Sequence, residues 1–135
     1  MPPTGSTGER ADVELRLPAD SVYVSVLRTT TASLSARLDF TIDDIEDLRI
    51  TVGEACAMVL PEADPGTDLV AEFFLGQGRL TVRVSVSGSD IAEPDYDSFA
   101  WQVLDTLAGE AAAEVAAGSF VVTLSMDFSS PIVPT

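Results

Sequence analysis

The side chains that most often carry protein chemistry are scarce in this sequence, and their scarcity narrows its function. There is no histidine, which removes the usual general base, the commonest transition-metal ligand and the Ser-His and Cys-His nucleophile pairs together. The single cysteine, Cys56, has no second thiol to pair with. It falls inside a helical apolar pattern and is expected to be a buried free thiol, in keeping with a reducing, cytoplasmic location. Carboxylate is what the sequence holds in quantity: 22 Asp and Glu against 7 arginines and no lysine, a formal net charge of −15. Such a field repels phosphate backbones and anionic membrane surfaces, so direct nucleic-acid or membrane binding is not expected. It suits a basic protein partner, because complementary potentials speed encounter and exclude wrong partners. Acidity that serves only solubility is the alternative, and composition leaves both open.

The elements that would position these residues follow from periodicity. At 135 residues the chain has room for one domain with a two-layer core, and no apolar run approaches the roughly 20 residues of a membrane-spanning helix. Residues 1–10 are small, polar and Pro/Gly-rich, without the apolar segment of a secretory signal, and are expected to be a disordered tail. Val13, Leu15 and Leu17 alternate with Glu14 and Arg16 as in a half-buried strand that stops at Pro18. Asp20 caps an expected helix reaching about Leu38, with Val22, Tyr23, Val26, Leu27, Leu34 and Leu38 on its apolar face. Thr41 with Asp44 three residues on resembles a capping box. Behind it Ile45, Leu48, Val52, Ala55 and Val59 hold one helical face as far as Pro61.

After a Pro/Gly/Asp connector, residues 69–75 and 79–87 form an expected hairpin through Gly76-Gln77-Gly78. In its second strand Leu80, Val82, Val84 and Val86 face one way and Thr81, Arg83, Ser85 and Ser87 the other, so one sheet face is buried and one solvated. Residues 88–97 read as an acidic loop, and Ser98 caps a helix carrying Phe99, Trp101, Leu104, Leu107 and Ala108. Another loop follows. Phe120, Val122, Leu124, Met126 and Phe128 then alternate in a final strand before a tail at 129–135. The order β-α-α-β-β-α-β predicts an α+β two-layer sandwich, helices on one face of a small mixed or antiparallel sheet, over residues 11–128.

Two segments carry a resemblance. Leu48-Arg49-Ile50-Thr51-Val52-Gly53-Glu54-Ala55-Cys56-Ala57-Met58-Val59-Leu60 resembles the N-box helix of the anti-sigma serine kinases of sporulation and stress responses, proteins with the histidine-kinase-like ATPase fold. Residues 98–108, Ser98-Phe99-Ala100-Trp101-Gln102-Val103-Leu104-Asp105-Thr106-Leu107-Ala108, are similar to the helix that follows the family's ATP lid. The resemblance spans residues 13–128. It implies that Glu54 stands where the family has its base toward a substrate serine. The magnesium-holding asparagine one helical turn on is here Met58, a soft thioether unsuited to a hard cation. Gly88 matches the glycine of the adenine pocket, but the aspartate two residues earlier is Val86 and a later glycine is Asp90, negative where phosphates approach. The lid's Gly-x-Gly, which cradles phosphate, is replaced by Ser98 and Ala100.

The resemblance therefore implies an anti-sigma factor with a degenerate nucleotide site, holding no cofactor or only weak ATP and magnesium, and no resident metal. Such a protein sequesters a sigma factor and is released by a STAS-domain antagonist. It would form a homodimer through its first helix and the adjoining sheet edge. Arg28 aligns with a family arginine at the sigma contact, and Arg37 and Asp39 lie farther along the same segment. The alternative is an active ATP-dependent serine kinase acting on the antagonist, with Glu54 as base. A third possibility keeps the fold but gives the apolar space near Met58 and Val86 to a non-nucleotide ligand.

Overall fold

The computed structural model describes residues 10–128. The expected tails at 1–10 and 129–135 lie outside the described residues, Arg10 excepted. In chain order the elements are β1 (Val13–Pro18), α1 (Val24–Arg37), α2 (Ile42–Val59), β2 (Asp68–Gly76), β3 (Arg79–Ser87), α3 (Phe99–Leu107), β4 (Glu110–Ala116) and β5 (Ser119–Asp127), with short 3-10 turns before α1 and after α2. One five-stranded sheet runs β1-β2-β3-β5-β4 and is antiparallel throughout. Helix α2 lies across β3 and β5, and α1 and α3 pack along its two sides. This is the α+β two-layer arrangement that the periodicity predicted.

Local chemistry accounts for the boundaries. Asp20 accepts the Val22 N–H at 3.0 Å and starts the turn into α1. Thr41 Oγ1 accepts the Asp44 N–H at 3.1 Å at the start of α2, and Ser98 accepts the Trp101 N–H at 3.2 Å at the start of α3; each cap answers an orphan donor of a first helical turn. Helix α1 ends on Asp39, which sits at φ 63 while the Phe40 N–H returns to the Ser35 carbonyl, a Schellman closure with Asp at the position usually given to Gly. Gly78, at φ 66, makes the tight turn between β2 and β3 possible. The alternating residues of β3 point as expected, with Leu80, Val82, Val84 and Val86 in the core.

The structure corrects the sequence reading in two places. Residues 110–116, expected to be loop, form β4, so the order is β-α-α-β-β-α-β-β. This strand, Glu-Ala-Ala-Ala-Glu-Val-Ala, is poor in the β-branched and aromatic residues that signal strands. Its tertiary pairing with β5, from Glu110↔Ser125 to Ala116↔Ser119, overrides that weak preference. Its turn is Ala117-Gly118 with both residues at positive φ (52 and 76), a geometry usually announced by Asn-Gly or Asp-Gly.

The second correction concerns α1. Its buried residues are Val24, Leu27, Thr31 and Ser35, whereas the expected core positions Val22, Tyr23 and Val26 are exposed. The hydroxyls can be buried because each bonds back to its own helix, Thr31 Oγ1 to the Leu27 carbonyl at 2.7 Å and Ser35 Oγ to the Thr31 carbonyl at 2.8 Å.

Candidate functional site

Helix α2 divides the surface residues of interest between two depressions. Its C-terminal end and the following turn meet the 88–97 loop and the start of α3 around a cavity of about 230 Å³. The wall combines Ala57, Met58, Ala100 and Phe120 with the carboxylates of Glu62, Glu93 and Asp95. Met58, Ser98 and Ala100, which the sequence places on separate elements, thus share one cavity. Val86 does not join them: it is 2% exposed in the core and stands in register with Phe120. The expectation of a pocket lined by both Met58 and Val86 is corrected accordingly, because strand alternation turns Val86 inward.

This cavity is poorly matched to a magnesium nucleotide. Its lining holds three carboxylates and no cationic side chain, so a polyphosphate entering it meets like charge. One of the orphan N–H groups that make a helix N-terminus attractive to anions is answered by the protein itself, through the Ser98 cap on Trp101, and the Asp95 carboxylate, accepting the Asp97 N–H at 2.9 Å, adds negative charge just before it. At the position of the family's metal-binding asparagine, Met58 offers sulfur in place of oxygen.

Gly88 lies beside this cavity and is spent on packing. A Cβ there would sit 2.2 Å from the Glu62 carbonyl oxygen, so the bare backbone is what lets the start of the loop close against the end of α2. The loop is further tied down by Glu62, which accepts the Ala92 N–H at 2.8 Å, and by Asp64, which accepts the Ser89 hydroxyl at 3.1 Å. Sequence reasoning passed over Glu62, Glu93 and Asp95; the only signal was acidic residues in connectors, which reads as solubility.

The second depression lies between α1 and α2. A cleft of about 230 Å³ is lined by Arg28, Glu46, Arg49, Ile50 and Glu54, and Arg28 also walls a neighbouring groove with Ser21, Val22, Ser25, Gly53 and Leu60. Arg28 and Glu54, from different helices, are therefore brought together, while Glu54 does not line the cavity that holds Met58. Among the described residues Arg28 makes no ion pair, whereas Arg49 pairs with Glu46 at 3.7 Å. Exposed Ile50 shares the cleft with Arg28 and exposed Val22 the neighbouring groove, at 45% and 68% accessible.

Arg37 and Asp39 do not join this surface. Nine residues separate Arg28 from Arg37, which at about 100° per residue puts them on opposite sides of α1. Arg37 stands exposed in the last turn of that helix, and Asp39 occupies the left-handed position that closes it.

Cys56 is fully buried in α2, and burial pushes its thiol up to about 12, with Arg28 pulling weakly the other way. It is a packed apolar side chain and not a nucleophile.

The fold is an α+β domain of the histidine-kinase-like ATPase type, with an arginine-lined groove and a carboxylate-walled cavity on the two sides of α2. No protein-family model matches the chain. It is 38% identical over 88 residues to the serine-protein kinase RsbW of Halalkalibacterium halodurans, a stretch that is 64% of this chain and 52% of that protein. The RsbW serine-protein kinases of Bacillus thuringiensis and Bacillus anthracis are 35% identical over 79 residues, 56% of this chain and 49% of theirs. The chain spans about half the length of the curated relatives it matches. Among solved structures, the RsbU and RsbW domains of Rv1364c from Mycobacterium tuberculosis superpose with a TM-score of 0.66 at 18% identity, over 88% of this chain and 33% of that one. The chain is a homologue of the RsbW serine-protein kinases and has their fold, as the resemblance in α2 and α3 implied.

Proposed function

We propose that this chain is an anti-sigma factor that works by binding alone: it sequesters a sigma factor in the cytoplasm and releases it when a STAS-domain antagonist competes for the same surface. The observation that carries the proposal is a contrast. Among the described residues Arg28 makes no ion pair and lines two adjoining accessible depressions, one with exposed Ile50 and one with exposed Val22, while the cavity at the other side of α2 is walled by carboxylates. An arginine framed by apolar side chains is the usual composition of a protein-binding hot spot. A polyphosphate site needs positioning and neutralised charge, and phosphoryl transfer depends on little else.

Arg28 is the contact residue in this proposal, with Arg37 and Asp39 meeting a different part of the partner from the far side of α1. Homodimerisation through α1 and the adjoining β1 edge would place two such surfaces on one particle. The acidity of the chain, −15 overall, favours a basic region of the sigma factor and disfavours nucleic acid and anionic membrane; among the described residues no helix is long and apolar enough to cross a membrane.

A second reading has support from the names of the relatives, which are serine-protein kinases: an ATP-dependent kinase that phosphorylates the antagonist, with Glu54 as base. The test is calorimetric titration of the chain with a panel of purified sigma factors and STAS-domain proteins, with and without Mg-ATP. The proposal expects one sigma factor to bind without nucleotide and one STAS-domain protein to displace it. Binding or displacement that requires Mg-ATP, or no sigma factor binding at all, would overturn it.

A further inference from the structure

Gly53 sits in the middle of α2, where glycine is among the least favourable residues for a helix. Two ordinary reasons for glycine are missing. Its φ is not in the left-handed region, since the described glycines with positive φ are Gly66, Gly78 and Gly118. Nor do the atoms nearest to it belong to the sheet or to the backbone of another element. A Cβ built at Gly53 would lie 2.6 Å from Arg28 Nη2, 2.8 Å from Nε and 3.1 Å from Cζ, and these are its three nearest atoms. The space a side chain would take is filled by the guanidinium of Arg28.

We propose that Gly53 is a positioning residue for partner binding: it leaves a bare patch of α2 backbone on which the Arg28 guanidinium rests, held in the groove for a carboxylate of the partner. This inference rests on the reading of Arg28 as a contact residue. Among the described residues Arg28 is given neither an ion pair nor a hydrogen bond by its own protein, so its planar donors are available for a two-pronged grip on a carboxylate. Seating the side chain before the partner arrives lowers the ordering cost of binding, because a free arginine has many rotamers to lose. The residue that the family resemblance singles out, Glu54, is the immediate neighbour of the seat and shares the cleft with Arg28. The seat therefore sits where α1 and α2 together meet a partner.

Gly53→Ala separates this role from a structural one, because alanine suits a helix better than glycine and the displaced group is the end of an exposed side chain. The chain is examined as wild type, Gly53→Ala, Arg28→Ala and the double variant. In the partner-free protein the heteronuclear NOE of the Arg28 Nε–Hε group is expected to show an ordered guanidinium in wild type and a mobile one in Gly53→Ala. The probe for binding is the sigma factor that binds in the calorimetric panel. Gly53→Ala is expected to weaken it at least about tenfold with an unchanged or raised unfolding midpoint, and to add nothing once Arg28 is alanine.

A Gly53→Ala chain that binds like wild type, or that loses affinity equally in the Arg28→Ala background, would overturn the proposal. An Arg28 guanidinium equally mobile in wild type and Gly53→Ala would overturn the seat itself. A panel with no binder defeats the anti-sigma reading and the partner half of this inference together, while the NMR comparison still decides the seat.

Discussion

The two sides of α2 make different use of the same helix. Toward α1 it presents Gly53, whose missing side chain leaves room for the Arg28 guanidinium. What fills the space against α2 there is the end of an arginine side chain from α1. Toward α3 the helix presents Met58, and the loops beyond add Glu62, Glu93 and Asp95. The core face of α2 (Leu48, Val52, Ala55, Cys56 and Val59) is fully buried and separate from the residues that line either depression. One helix core can therefore carry two depressions of different chemistry, one walled by carboxylates and one lined by Arg28.

The comparison can be broken most severely at the shared core. Leu48→Ala empties a fully buried site and is expected to lower the unfolding free energy by about 2–5 kcal/mol, weakening both sides together; a loss under about 1 kcal/mol by denaturant titration would mean that α2 is not packed as described. Gly88→Ala comes next. Its Cβ meets the Glu62 carbonyl, a backbone atom that cannot swing away, and the expected cost is about 1–3 kcal/mol from forced displacement. Unchanged stability in that variant would give Gly88 back to the ligand role that the resemblance implied.

Arg28→Ala sharpens the contrast from the other side. The unfolding free energy should move by less than about 0.5 kcal/mol, as for an exposed residue, while sigma-factor affinity falls by about tenfold or more, the range of an interface hot spot. A change in stability without a change in affinity would reverse the assignment of the groove.

Much of this was legible in the residues. The caps at Asp20, Thr41 and Ser98, the hairpin turn at Gly78 and the alternation of β3 and β5 all appear where short-range chemistry places them, because each is decided within a few residues. Strand β4 was hidden, since an alanine-rich segment acquires its strand identity only from pairing with β5. The apolar face of α1 misled because Thr31 and Ser35 look like surface residues until their hydroxyls are seen to bond within the helix. At the site, Glu54, Met58 and Gly88 could be singled out from motif resemblance. The seat at Gly53 and the carboxylate wall could not, as both are made by residues far apart in sequence that meet only in the fold.

The pH effect of Cys56 comes last, being absent at neutral pH and appearing only above about pH 9. Its thiol ionises at 9.0 when unperturbed and is raised to about 12 by burial. The folded chain therefore holds this proton more tightly than the unfolded one, and the contribution to stability is in place below about pH 9 and declines as pH rises toward 12. Denaturant midpoints above pH 9 should fall more steeply for wild type than for Cys56→Ala; parallel slopes would show that the thiol is not buried in the native state.

The central claim is that the cavity beside Met58 no longer serves nucleotide, and calorimetric titration with Mg-ATP and Mg-ADP at near-millimolar concentration tests it most directly, with a conventional RsbW kinase as positive control. No heat of binding from this chain, against a clear isotherm from the control, is the expected result. Micromolar binding would contradict the account and restore the kinase.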